Sequence, residues 1–279
     1  MESGIRLRAK DYPMNSSTPF SITPEKGHEW PAPIHERAAL AVDVSDLQFG
    51  WDTAADPILD IMALQIAREE RVFIEGPSGS GKSTLLSLLA GVMTAQKGAV
   101  SVLGQRVDAL SGAQRDRFRA DHIGFIFQMF NLVPYLSLIE NVTLPCRFSK
   151  RRRKRALRRS ASVGAEAVRL MAHLNMADPD LLKRPVTELS VGQQQRVAAA
   201  RALIGAPEIL IADEPTSSLD AHHREAFICL LFDECAKETT TLVFVSHDNS
   251  LATMFDRTVS LTQINHARRP RIQIVKEAM

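Results

Sequence analysis

The hydrophobic pattern divides the chain into a proline-rich first segment and a longer region of regular apolar runs. Residues 1 to about 40 contain five prolines among polar residues and show no sustained period. That composition predicts a weakly ordered N-terminal extension. From Ala41 onward, short apolar runs alternate with helical periods, so we expect residues 41–279 to form the folded domain.

Alternating or continuous apolar runs predict a series of strands, and periodic runs predict the helices between them. The predicted strands are Val42–Trp51, a segment around Leu64 and Ile66, Arg71–Glu75, Val100–Leu103, Ile123–Gln128, Ile209–Ala212 and Thr241–Ser246. The predicted helices are Lys82–Gly91, Gly192–Ile204 and Ala221–Lys237. Residues 129 to about 190 are richer in charge and helix formers, which indicates an inserted helical subdomain.

Strands that alternate with helices indicate an α/β fold with a parallel sheet. Ligands of such sheets lie beyond the carboxyl ends of the strands. Gly76, Gln128, Asp213 and His247 each follow or close a predicted apolar strand, so we expect them to share one edge of the sheet.

Composition adds two restrictions. The net charge is +2, with 45% apolar and 24% charged residues, so the average composition gives no reason to expect a nucleic-acid partner. The three cysteines, Cys146, Cys229 and Cys235, form no CxxC pair, and we expect them to be reduced, buried thiols. No apolar run approaches the roughly 18–20 residues of a membrane span, so if the protein works at a membrane, another chain must supply the spanning helices.

The strongest local motif is GPSGSGKST, which satisfies the phosphate-loop pattern G-x-x-x-x-G-K-[ST] between a strand and a helix. Its backbone N–H groups and the helix dipole suit a phosphate chain, Lys82 adds a cation, and the Ser83 hydroxyl suits Mg²⁺. The predicted ATP-binding residues of this loop are Gly76, Pro77, Ser78, Gly79, Ser80, Gly81, Lys82, Ser83 and Thr84.

A second motif, ILIADEP, carries two adjacent carboxylates at the end of an apolar strand. Asp213 is placed to hold Mg²⁺, and Glu214 is placed to polarise a water that attacks the γ-phosphate. Phosphoryl transfer needs mainly positioning and charge stabilisation, so one base, one metal ion and a cationic cradle suffice.

The third motif, LSVGQQQR at Leu189–Arg196, lies shortly before the acidic strand. In this order the three motifs resemble the ATP-binding subunits of ABC transporters over about Ala41 to Thr262. The resemblance implies a P-loop NTPase core with an antiparallel β lobe and an inserted α-helical subdomain. It also implies a head-to-tail dimer, in which Ser190, Gly192 and Gln193 contact ATP held by the other subunit.

The resemblance assigns roles to three further residues. Gln128 would touch Mg²⁺ and the attacking water, His247 would bind the γ-phosphate and steady Glu214, and Asp220 would lie at the dimer interface. Taken singly, they could instead be a strand-end glutamine, a core histidine and a helix N-cap. Trp51 is the candidate for stacking on adenine, with Phe49 as its competitor and core packing as the alternative for Trp51.

Two positions depart from the family pattern. Val191 stands where the signature segment usually has its first glycine, so either its dihedrals are ordinary or the loop is shifted. The family also commonly has a glycine near Glu69–Glu70, and we expect a different turn there.

The segment QMFNLVPYLSLIENVTLP resembles exporters and mechanotransmission systems of the lipoprotein-release and macrolide-efflux type. The implied activity is ATP hydrolysis coupled to membrane permease subunits at the cytoplasmic face of the inner membrane. The alternative is a regulatory ABC ATPase of the cell-division type, without cargo. The basic run Lys150–Arg159 suggests contact with anionic lipid, against the alternative of a solvated helical face.

Overall fold

The structure, a computed structural model, describes residues 39–52, 56–176, 178–182, 184–217 and 219–267. These residues form nine strands and ten α-helices. The strands are β1 (Leu40–Phe49), β2 (Leu59–Ala67), β3 (Arg71–Glu75), β4 (Lys97–Val102), β5 (Gln105–Arg106), β6 (Ile123–Ile126), β7 (Ile209–Asp213), β8 (Thr241–Ser246) and β9 (Arg257–Ser260).

The helices lie between these strands in the sequence, except for the last one, which follows β9. They are α1 (Lys82–Leu89), α2 (Gly112–His122), α3 (Leu138–Thr143), α4 (Pro145–Phe148), α5 (Lys150–Arg159), α6 (Val163–His173), α7 (Pro179–Leu182), α8 (Val191–Leu203), α9 (Ala221–Lys237) and α10 (Leu261–Ile264). Short 3-10 helices cover Val186–Glu188 and Asn249–Met254. No helix in these described ranges is both long enough and apolar enough to cross a bilayer.

One sheet is antiparallel and has the strand order β2-β1-β4-β5. Val44 on β1 lies opposite Leu64 on one side and Val100 on the other, and all three side chains are buried. Alternating residues of a strand point to opposite faces, so one face of this sheet is apolar and packs into the core.

The second sheet is parallel and has the order β6-β7-β8-β3-β9. All six residues of β8 are buried, as expected of a central parallel strand covered on both faces. This sheet and the antiparallel one confirm the predicted fold class. The parallel arrangement brings the segments that follow β3, β6, β7 and β8 to the same edge.

Helices α3 to α7 all fall within the segment predicted to be helical. Leu138, Val142, Leu170 and Met171 are buried in the same hydrophobic core as Val197 of α8. The division of the chain at residues 40 and 41 stays a prediction, because residues 1–38 lie outside the described ranges.

Several predicted boundaries were wrong by a few residues, and two of them matter for the site. Strand β1 ends at Phe49 and β6 ends at Ile126, so Trp51 and Gln128 lie beyond their strands. Helix α8 begins at Val191, one residue earlier than predicted.

Helix α2 was missed because it has no buried residue and therefore no apolar stripe. Its signal was local instead: Ser111 and Gln114 form a capping box at its N-terminus. Strand β9, at the edge of the parallel sheet, was also missed. Its four residues include one buried side chain, Val259, so no alternation marks it.

The turn between β2 and β3 forms without a glycine. Glu69 adopts a left-handed conformation with φ 67°, and the Glu70 carboxylate accepts a 2.7 Å hydrogen bond from the Ala67 amide. The expectation of three buried thiols was partly wrong: Cys146 and Cys235 are buried, whereas Cys229 lies exposed on α9.

Candidate nucleotide-binding site

The phosphate loop connects β3 to α1, so strand and helix fix it at both ends. Gly79 and Gly81 have φ values of 76° and 97°, a region that side chains rarely adopt. A Cβ atom on Gly81 would also come within 2.7 Å of Leu59 Cδ2. The loop therefore needs glycine at this position for conformation and for space.

Lys82, the first residue of α1, is 7% exposed. Its ammonium donates to Gly76 O at 2.7 Å and Pro77 O at 3.1 Å, so the cation lies across the mouth of the loop. The hydroxyl of Ser80 is buried without a hydrogen-bond partner. An unpaired donor, a cation and a helix N-terminus are the groups that a phosphate chain requires, so the loop fits a polyphosphate.

Strand β7 carries Asp213 to the edge of the sheet, where it pairs in register with Val245 of β8. Burial and the neighbouring Glu214 charge raise the pKa of Asp213, opposed by a hydrogen bond from Ser83 and by the charge of Lys82. A carboxylate joined to a hydroxyl is an all-oxygen donor pair, which fits Mg²⁺.

Glu214 follows directly and has an unusual backbone. Its φ is 45°, in the left-handed region, and its amide donates to Val245 O at 2.9 Å. Its carboxylate lies between two basic side chains: Lys82 Nζ is 3.8 Å from Oε1, and His247 Nδ1 is 3.2 Å from Oε2. A non-glycine residue in this conformation is held by its surroundings, and such positions concentrate at functional sites.

His247 is the first residue after β8, and its side chain is 62% exposed. It is therefore not a core histidine. The structure thus brings together five of the predicted residues through three contacts: Lys82 with Glu214, His247 with Glu214, and Ser83 with Asp213.

Gln128 lies in the turn after β6, which is the neighbour of β7 in the sheet. Its side chain is exposed, and within the described part of the chain no hydrogen bond joins it to Asp213 or Ser83. The structure therefore places Gln128 at the correct edge but not in the cluster.

The signature segment forms the N-terminus of α8. Ser190 is the N-cap residue, and it forms a reciprocal capping box with Gln193. Val191 occupies the first helical turn and is absent from the described residues with positive φ, so its dihedrals are ordinary. Among the described residues, no hydrogen bond links Ser190, Gly192 or Gln193 to the phosphate loop.

Asp220 is the N-cap of α9 and accepts a 3.0 Å hydrogen bond from the His223 amide. Its neighbour Leu219 lies beside the signature segment, because a Cβ atom on Gly192 would be 3.6 Å from Leu219 Cδ2. Trp51 is 71% exposed and packs edge-on against the buried ring of Phe49, with centroids 5.5 Å apart. A flat, exposed indole is available for stacking, whereas Phe49 is not.

One residue near the site was missed by sequence reasoning. The Arg224 guanidinium pairs with Asp248, next to His247, and donates to Leu219 O at 2.8 Å. It thereby ties the segments that carry His247 and Asp220. An arginine in the second turn of a helix gives no pattern that would have singled it out.

Comparison with known proteins agrees with this geometry. The sequence model of the ABC transporter family matches residues 59–217. The ABC transporter ATP-binding protein YbbA of Escherichia coli (strain K12) is 41% identical over 208 residues, covering 73% of this chain and 86% of that protein. The lipoprotein-releasing system ATP-binding protein LolD of Xylella fastidiosa (strain Temecula1 / ATCC 700964) is 40% identical over 206 residues, covering 74% and 82%.

A solved structure is similar as well. It is a dimeric structure of a post-hydrolysis state of the ATP-binding cassette MJ0796 bound to ADP and Pi. The two folds align with a TM-score of 0.67 and 33% identity, covering 78% of this chain and 93% of the other.

Proposed function

This chain belongs to the ATP-binding proteins of the ABC transporter family, and from that membership we propose that it hydrolyses MgATP in a head-to-tail dimer to drive membrane-spanning partner subunits. The observation that carries the proposal is the cluster at the sheet edge. A lysine, a carboxylate and a histidine lie in contact beside a phosphate loop, with an oxygen pair for the metal next to them.

The residues of the loop and the strand ends divide the work. Gly76 to Thr84 enclose the phosphates, and Lys82 neutralises the transferred group. Ser83 and Asp213 hold the metal, with Gln128 as a further oxygen ligand. When bound, MgATP supplies the phosphoanhydride bond that is cleaved, and the metal ion neutralises charge on its phosphate oxygens.

Glu214 acts as the general base. It accepts a proton from the water that attacks the γ-phosphorus, while ADP leaves with the electrons of the cleaved bond. His247, 3.2 Å from the Glu214 carboxylate, steadies that carboxylate. In this proposal it also binds the γ-phosphate. Trp51 stacks on the adenine.

A second copy completes each site. The N-terminus of α8 offers backbone N–H groups and a positive dipole end, which attract an anion. The side chains of Ser190 and Gln193 are engaged with each other's backbone amides in a capping box, and among the described residues neither bonds to the phosphate loop of its own chain. The proposal is that Ser190, Gly192 and Gln193 of one copy contact the γ-phosphate in the loop of the other, with Asp220 at the interface.

The membrane partner meets the surface near Gln128. A hollow of about 220 Å³ lies beside this residue and is lined by Phe125, Phe127 and Leu144, among others. Phe127 is 39% exposed, so the hollow offers apolar surface next to the proposed metal ligand. Binding there would hold the chain peripherally at the cytoplasmic face of the membrane. The LolD relatives, named as ATP-binding proteins of lipoprotein-releasing systems, support a partner of that type.

The dependence of ATPase activity on protein concentration tests the dimer. If two chains form each site, the rate per chain rises with concentration until the dimer saturates. Lys82→Ala serves as the inactive control. A rate per chain that is constant from nanomolar to micromolar protein, with Lys82 still required, would replace the dimer with a monomeric enzyme.

A further inference from the structure

Helix α5 carries eight basic residues in ten, and the structure gives its two faces different environments. The inner face contains Arg152, Arg155 and Arg159, together with the buried Ala156. The outer face contains Lys150, Arg153, Lys154 and Arg158, which are exposed. Residues 150, 154 and 158 are spaced by four and residues 150 and 153 by three, so they lie side by side.

The inner face is used by the fold. The buried guanidinium of Arg152 donates to Ile204 O at 2.7 Å and also to Ala202 O, both at the C-terminal end of α8. Arg155 donates to Ala206 O and pairs with Glu208, and Arg159 pairs with Glu238. These arginines satisfy carbonyls and carboxylates of the same chain, so they are not available to a partner.

The outer face has no such partners. Within the described part of the chain, no carboxylate forms a hydrogen bond or an ion pair with Lys150, Arg153, Lys154 or Arg158. Four like charges on one helical face repel one another, and folding gains nothing in return. The local arrangement therefore favours an anionic partner.

Apolar side chains accompany these charges. Leu157 lies between the basic positions of the outer face and is 47% exposed, and Phe148, just before the helix, is 74% exposed. Insertion at the boundary between lipid headgroups and acyl chains stabilises an aliphatic side chain, whereas a nucleic-acid backbone gives it little apolar surface to contact. Cations around an exposed apolar residue are typical of surfaces that lie on anionic membranes.

We propose that the outer face of α5 binds anionic lipid headgroups at the membrane surface, through Arg153, Lys154 and Arg158 with Leu157 entering the headgroup layer. The inference rests on the proposed function, because that function places the chain beside a membrane. Lys150 is kept apart because it also lines a cleft of about 850 Å³ between α2 and α5.

Sedimentation of the full chain with vesicles tests the proposal. Vesicles of phosphatidylcholine with about 30% phosphatidylglycerol should bind the protein at about 0.1 M salt, and pure phosphatidylcholine vesicles should not. The triple variant Arg153→Gln, Lys154→Gln, Arg158→Gln should bind the anionic vesicles on the order of 10- to 100-fold more weakly.

The matched control changes three exposed basic residues elsewhere: Arg68→Gln, Lys97→Gln and Arg184→Gln. Both variants take the formal charge from +2 to −1 (2 − 3 = −1). The control should keep the affinity of the natural chain to within about threefold, because its charges lie outside the outer face. Equal losses in both variants would mean that net charge alone drives binding, and the proposal would be wrong.

Two further measurements separate the remaining outcomes. Leu157→Gln should weaken vesicle binding severalfold while all charges remain. Binding of duplex DNA that falls in the triple variant, with vesicle binding unchanged, would assign the face to nucleic acid and reject the lipid proposal. ATPase activity is measured in parallel: a chain that hydrolyses ATP but ignores anionic vesicles contradicts only this inference.

Discussion

The cluster of Lys82, Glu214 and His247 and the signature segment Leu189–Arg196 both serve the proposed reaction, but they differ in the contacts they make within one chain. Lys82, Glu214 and His247 come from three separate segments, and Lys82 and His247 both contact Glu214 within one chain. Among the described residues, the side chains of Ser190 and Gln193 form hydrogen bonds only with each other's backbone amides. Folding of one chain therefore brings the side chains of the phosphate-loop site into contact. The signature segment, in contrast, forms its helix cap but lies without a contact to the phosphate loop of the same chain in the described structure.

The same contrast runs along α8 itself. Its C-terminal end is fixed by the buried Arg152, and Arg155 binds Ala206 and Glu208 in the segment that follows, while its N-terminal end is exposed at Ser190 and Val191. A helix held at one end and presented at the other is a rigid way to deliver N–H groups to a second molecule.

The largest expected effect on ATP hydrolysis comes from removing the proposed general base, Glu214. Glu214→Gln keeps the size of the side chain but cannot accept the proton of water. We expect turnover to fall by about 10²- to 10⁴-fold while ATP binding persists. Steady-state hydrolysis and equilibrium nucleotide binding check this. Glu225→Gln, an exposed carboxylate on α9, is the control, and near-normal hydrolysis by Glu214→Gln would remove that residue from its role.

The second prediction tests directly whether the two regions belong to different chains in one site. Lys82→Ala disables the phosphate loop, and Gly192→Asp places a negative charge at the N-terminus of α8. Each variant alone should be inactive. A one-to-one mixture should recover about a quarter of the natural activity, because half of the dimers are mixed and each mixed dimer has one intact site of two.

Failure to recover activity has a definite meaning if both variants still dimerise. If Lys82 and Gly192 of one chain served the same site, no mixture would contain an intact site. Each variant mixed with itself at the same total concentration gives the residual activity, and size-exclusion chromatography with MgATP checks that both variants dimerise.

The third prediction concerns Glu208, in the segment that follows the C-terminal end of α8. Burial raises the pKa of Glu208, but the hydrogen bonds from His122 and Arg151 and the charge of Arg155 outweigh burial and lower it to about 2. A depressed pKa in the folded state contributes stability above the ordinary value of 4.5, and that contribution is lost as pH falls towards 2. Glu208→Gln should therefore lower the free energy of unfolding at pH 7 by about 1–3 kcal/mol.

Urea unfolding at pH 7 and at several acid values checks the sign. The difference between the natural chain and Glu208→Gln should shrink as pH falls from 4.5. A difference that stays constant with pH would show that packing, and not the ion pairs, carries the effect.

The smallest effect is expected at Asp213. Its pKa is raised, mainly by burial, so the folded chain binds the proton more readily than the unfolded chain. The contribution of this group to the free energy of unfolding therefore falls as pH rises through its raised pKa, and at neutral pH the ionised carboxylate destabilises the folded chain. Asp213→Asn should raise the thermal midpoint by about 1–3 °C and reduce the further rise that MgATP gives. Scanning calorimetry with and without MgATP measures both, and unchanged stabilisation by MgATP would argue against a metal role.

Much of the fold and of the completed cluster could be predicted from local pattern. The strand Thr241–Ser246 and the helix Ala221–Lys237 have the predicted boundaries, because each combines a strong period with clear end signals. Boundaries failed where the motif continued past the hydrogen-bonded ladder, as at Trp51 and Gln128. Helix α2 is largely polar and buries no residue, so the sequence contains no hydrophobic period that would predict it.

By itself the sequence determined the chemistry: the glycine-rich loop with Lys82, the paired Asp213 and Glu214, and a signature segment that begins a helix. These features are local, because each depends on residue types at fixed short spacings. Tertiary structure decided what lies beside what. The left-handed backbone of Glu214 and its place between Lys82 and His247 depend on strands far apart in the chain, as does the division of α5 into a buried and an exposed basic face. Such contacts follow from sheet order and packing, which no short spacing encodes.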